Sequence, residues 1–88
     1  MENEIVVERV QTGVRMEKRM VKVLKALAEY HDLSLGELLE GIVLHAFDNK
    51  TPFGEPSLEL IRKLKDVYGL DYGSEASHTL RESAEGRE

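Results

Sequence analysis

The stretch RVQTGVRM, residues 9–16, constrains this chain more than any other. Val10, Thr12, Val14 and Met16 fall on one face of it, and Arg9, Gln11, Gly13 and Arg15 on the other. A period of two marks a β-strand with one covered face. Ile5, Val6 and Val7 carry the same character toward the N-terminus, yet no second convincing strand follows. A lone strand leaves a row of backbone N–H and C=O groups without partners. A second copy of the chain supplies them. Two antiparallel copies around a two-fold axis make a ribbon whose apolar face covers the helices. Strand counting therefore predicts an obligate homodimer with an intermolecular two-stranded antiparallel ribbon. The alternative is that residues 9–16 are only an extended arm.

The rest of the chain reads as helix. Met20, Leu24, Leu27, Ala28 and His31 lie at helical spacing over 17–31, and Val23 widens that stripe. Lys18, Lys22 and Lys25 occupy another side. The start of this helix, Met16-Glu17-Lys18, offers no Ser, Thr, Asp or Pro as a cap. The second helix is the best marked. Ser34 and Glu37 form a capping box, and Leu33 and Leu38 a hydrophobic staple. It should run over 35–47 and bury Leu35, Leu38, Leu39, Ile42, Val43 and Ala46. Gly41 inside it costs ~1 kcal/mol relative to Ala, which argues for a close helix crossing. DNKTPFGEP, within 48–56, is a loop. Ser57 then caps a third helix over 58–68, with Leu58, Ile61, Leu64 and Tyr68 on one face and Gly69 ending it. The expected organisation is an arm (1–8), a core (9–47), a loop (48–56), an additional helix (57–69) and a disordered tail (70–88).

At 88 residues the chain is one domain at most. A domain this small buries only ~60% of its unfolded surface, so dimerisation would also relieve a core problem. Cysteine is absent, which removes disulfides, zinc ribbons and thiol nucleophiles. No apolar run is long enough for a membrane span, and MENEIVVE lacks a signal-peptide pattern, so a cytoplasmic protein is expected.

Net charge is −5, which argues against a general nucleic-acid coat. The charge is uneven, however. Over residues 9–25 there are six bases (Arg9, Arg15, Lys18, Arg19, Lys22, Lys25) against Glu17 alone. Over 26–88 there are six bases against thirteen acids. A basic patch on an acidic body can steer one polyanion to one face; the bland reading is a solvated helix side. The outer face of the ribbon would carry Arg9, Gln11, Gly13 and Arg15 from each copy. A two-stranded ribbon fits the major groove of B-DNA, where Arg pairs with guanine and Gln with adenine.

Gln11-Thr12-Gly13-Val14-Arg15, Leu24-Lys25-Ala26-Leu27-Ala28, Asp32-Leu33-Ser34 and the apolar spacing of 35–47 together resemble the ribbon-helix-helix family of DNA-binding repressors (Arc, MetJ and CopG type). The resemblance covers residues 9–47. It implies a mostly α fold, an intertwined homodimer, and a ribbon set into the major groove of double-stranded DNA. It maps the base-reading positions onto Gln11, Gly13 and Arg15. It maps a backbone-phosphate site onto Ser34, Leu35 and Gly36 at the start of the second helix, where free N–H groups and the helix dipole favour an anion. Gly13 departs from the family, which has a polar side chain there, so Arg15 and Gln11 are the main readers. Arg9, Lys18, Arg19 and Lys22 would hold the DNA backbone. Val10, Val14, Met20, Leu24, Leu27, Leu38, Leu39, Ile42 and Val43 would form the dimer core. Dimers could assemble further on DNA.

Other chemistry is not expected. His31, His45 and His78 make no ligand cluster, and no catalytic constellation stands out, so neither metal, cofactor nor enzymatic activity is predicted. The second reading is a protein-interaction module. Some members of the family are antitoxins, and residues 57–88 would then bind a protein partner.

Overall fold

The computed structural model describes residues 4–83, and in it the chain is mostly α-helical. α1 spans Lys18–Tyr30, α2 Leu35–Phe47 and α3 Glu55–Tyr68, followed by a single 3-10 turn at Ser74–Ala76. Among the described residues no strand forms. Residues 4–17, which hold the expected strand at 9–16, are neither helix nor strand. Nor does any backbone–backbone hydrogen bond among the described residues involve residues 4–16. A strand takes its ladder from another strand, and nothing in a single copy provides one.

Local chemistry sets the helix ends. α1 does have a cap, contrary to expectation: the Glu17 carboxylate accepts from Arg19 N at 2.7 Å. A carboxylate there also suits the helix dipole and offsets Lys18 and Arg19 in the first turn. α1 ends through Asp32 at φ 58, one of the few residue types that enters the left-handed region easily. α2 begins with the full capping box. Ser34 Oγ accepts from Glu37 N at 3.1 Å, and Glu37 Oε1 accepts from Ser34 N at 2.9 Å. α3 starts earlier than expected, with Gly54 rather than Ser57 as its N-cap. Pro56 lies in the first turn, where its missing N–H costs nothing, so proline here opens the helix instead of prolonging the loop. Gly69, at φ 71, ends it as expected.

α1 packs against both α2 and α3. Leu27 is only 1% exposed and centres a core with Ala28 and Leu38. Leu24, Ile42, Phe53, Leu60, Ile61 and Leu64 pack around these three. Val23 is also buried. The inner face of α3 thus includes Leu60, while Leu58, expected there, is exposed. Of the residues expected to be buried on α2, only Leu38 is fully so. Leu35, Leu39 and Ile42 are half-buried, and Val43 and Ala46 are exposed. No close crossing occurs at Gly41 within the chain, since a Cβ there would meet nothing within 4 Å. No helix among the described residues is long and apolar enough to cross a membrane.

The stretch after α3 was expected to belong to a disordered tail. Residues 70–83 instead fold back along the start of α1. Leu70, Tyr72, Ala76 and Leu80 line one hollow with Met20, and Tyr72 OH donates to Glu17 Oε1 at 2.5 Å. The remainder of that tail, residues 84–88, and the first three residues of the arm lie outside the described residues.

Candidate nucleic-acid interface

The proposed reading face is solvent-exposed throughout: Arg9, Gln11, Gly13 and Arg15 all lie open. Gly13 has free space around it, with no atom within 4 Å of a notional Cβ, so packing within the chain does not demand glycine. Neither arginine is idle. Arg9 forms a bidentate pair with Glu40 on α2, Nε to Oε2 at 2.7 Å and Nη2 to Oε1 at 2.8 Å. The hydrogen bond and charge of Glu40 raise the Arg9 pKa, and those of Arg9 lower that of Glu40. The Arg15 guanidinium donates to Glu82, 67 residues away, in a second exposed pair.

Arg19 sits at the centre of a denser cluster. It donates from Nε and Nη2 to Glu17, the latter at 3.0 Å, and from Nη1 to the Gly69 carbonyl at 2.7 Å. Asp71 lies 4.0 Å from the same Nη1, and the guanidinium stands 5.8 Å from the Tyr72 ring centre. The side-chain bonds from Arg19, then that from Tyr72, hold the Glu17 carboxyl down to about 2. Glu17 in turn raises the Tyr72 phenol. Arg19 therefore joins α1 to the end of α3 and the following strap. It is less available for a DNA phosphate than its sequence position implies. Lys18 and Lys22 form no ion pair among the described residues, and Lys22 Nζ lies 5.8 Å from the Tyr68 ring centre.

At the start of α2, the capping box occupies the N–H groups of Ser34 and Glu37. Those of Leu35 and Gly36 are the donors left facing outward in that turn. A Cβ at Gly36 would meet only Ser34 Oγ, at 3.9 Å, so this glycine too is not required by packing. This turn does not lie with the cationic start of α1. Thirteen residues of helix separate them, an axial rise of ~20 Å. One chain thus keeps the cationic start of α1 and the free N–H groups of the α2 start apart.

The histidines have local partners. His31 Nε2 and Ser57 Oγ share a hydrogen bond of 3.2 Å, and His45 donates from Nδ1 to the Gly41 carbonyl at 2.7 Å. Sequence reasoning missed Glu17, Glu40, Tyr72 and Glu82 as members of this region. Only the Glu17–Arg19 pair is local enough to be visible in the chain order. Compared with known proteins, the chain matches no family model, no curated protein and no solved structure.

Proposed function

We propose that this chain is a dimeric, sequence-specific DNA-binding regulator of ribbon-helix-helix type, acting as a transcriptional repressor. One observation carries the reading: a segment with unpaired backbone and alternating side chains runs directly into two helices joined by a tight turn. Val10 and Val14 are 77% and 72% exposed in the single chain, and Met16 is exposed beside them. On α2, Val43, Leu44 and Phe47 are exposed as well. Apolar surface of this extent, next to unpaired backbone, is what a second copy would cover. Two such segments paired antiparallel would bury Val10 and Val14 and present Gln11 and Arg15 outward.

In this reading Arg15 donates to guanine and Gln11 pairs with adenine. Gly13 brings the ribbon backbone close to the groove floor without reading a base. Arg9, Lys18, Arg19 and Lys22, with the amides of Leu35 and Gly36 behind the Ser34 cap, hold phosphates and fix the register. The two-fold axis joins phosphate sites that a single chain keeps ~20 Å apart along α1. The adaptor or antitoxin alternative assigns partner binding to residues 57–88. It is weakened because Leu60, Ile61 and Leu64 of α3 are already engaged in the chain's own core.

The test is selection from pooled random-sequence duplex across a salt series. Wild type should enrich a short palindromic or repeated motif. Arg15→Ala should lose ~1–3 kcal/mol on that motif and relax its sequence preference, whereas Lys22→Ala should weaken all sequences alike and reduce the salt slope. Absence of binding by wild type at low salt sinks the reading.

A further inference from the structure

We infer that the C-terminal strap, residues 70–83, is a built-in competitor for the reading face, with the Glu82 carboxylate occupying the Arg15 guanidinium in place of DNA. The inference rests on the DNA-binding reading and adds to it a means of regulation.

Three observations place the strap there. Its root is fastened: Arg19 holds the Gly69 carbonyl, Tyr72 donates to Glu17, and Asp71 lies beside Arg19. Its middle runs beside α1, with Leu70, Tyr72, Ala76 and Leu80 lining one hollow together with Met20. Its far end reaches the ribbon segment, where Glu82 pairs with Arg15. These three links run to the segment just before α1 or to the first turns of α1, while Leu70 N also donates to Lys65 O at the end of α3.

The charge suits the role. Residues 70–83 contain three acids (Asp71, Glu75 and Glu82) against Arg81, whereas the segment they lie on is the basic part of the chain. A carboxylate presents two acceptor oxygens to a guanidinium, as guanine presents O6 and N7 and as a phosphate presents two oxygens. Glu82 meets Arg15 through one of these oxygens, Oε2 accepting from Nη2, and so takes up a donor that the ligand would need. Both members of the pair are exposed, 79% and 47% at the side chain, so the contact is weak and reversible. DNA that offers Arg15 a well-placed acceptor displaces Glu82 easily, while loose phosphate encounters are discouraged. The strap should thus act mainly against nonspecific binding and leave the fold intact when released.

The experiment compares wild type, Glu82→Gln and Glu29→Gln in the full-length chain. Glu29 is exposed on the last turns of α1, so its substitution makes the same charge change away from Arg15. In DNA-free protein, Glu82→Gln should shift the NMR signals of the Arg15 side-chain and backbone N–H groups, and Glu29→Gln should not. On pooled random-sequence duplex at low salt, Glu82→Gln should bind about two- to fivefold more tightly than wild type, and Glu29→Gln should match wild type. Unmoved Arg15 signals overturn the strap and leave the DNA-binding reading standing. Moved signals with unchanged duplex affinity, or equal tightening by Glu29→Gln, overturn the competition. If none of the three proteins binds duplex, the DNA-binding reading fails and the competition with it.

Discussion

Residues 4–17 and α1 are neighbours in sequence and both carry valine and other large apolar side chains, yet they end in opposite states. In α1, Val23, Leu27 and Ala28 are buried. In residues 4–17, Ile5, Val6, Val7, Val10, Val14 and Met16 are all exposed. The difference does not lie in hydrophobicity. A helix satisfies its backbone within four residues and gathers its apolar side chains into one stripe, so a single chain can fold it against its neighbours. A strand depends on a second strand for its hydrogen bonds, and its apolar face is covered only when that partner arrives. Where the backbone finds its partners decides which apolar residues one copy can bury.

The largest effect should come from the buried side of this comparison. Leu27→Ala empties the centre of the core and should cost ~2–5 kcal/mol in urea unfolding. A loss near zero would mean that α1 does not organise the helices as described. The exposed side gives the sharper discrimination. Val14→Asp leaves an isolated chain unaffected, because Val14 is open there. If the ribbon forms, each dimer loses two buried valines, ~1.5–3 kcal/mol apiece, plus the cost of desolvating the introduced carboxylates. Sedimentation equilibrium should then show monomers where wild type is dimeric, and an unchanged mass distribution would break the ribbon.

Ser34→Ala tests a purely local contribution and should cost ~1 kcal/mol of stability without any DNA present. A change seen only in DNA affinity would give Ser34 a phosphate role in place of its cap. The smallest effect concerns the join between the two regions. Glu17 has its pKa at about 2, below its ordinary 4.5, because its charged form is bonded by Arg19 and Tyr72. Its contribution is therefore fully present above about 4.5 and is lost as pH falls toward about 2. Tyr72→Phe removes one of those bonds and should raise the Glu17 midpoint in a carboxyl NMR titration, narrowing that window.

Much of the helical frame was legible in residue order. α2 was delimited to the residue because its capping box acts within four positions. α1 matched its apolar stripe to within one residue at each end, although Glu17 was overlooked as its cap. α3 was placed late, since Pro52 and Pro56 both read as loop when the second belongs to the helix's first turn. The candidate site was less legible. Gln11 and Arg15 follow from period two, but the company kept by the arginines does not. Arg9 meets Glu40 across 31 residues and Arg15 meets Glu82 across 67.

The sequence alone determined the three helices, the turn between the first two, and the alternation that calls for a strand partner. All of these depend on hydrogen bonds, caps and side-chain spacing within a few residues. Only the tertiary structure decided that α3 completes the core through Leu60, Ile61 and Leu64, and that the acidic strap lies on the basic segment. Those outcomes depend on which distant surfaces meet once the helices have packed. Charge and apolarity in residue order constrain such meetings without selecting the partners.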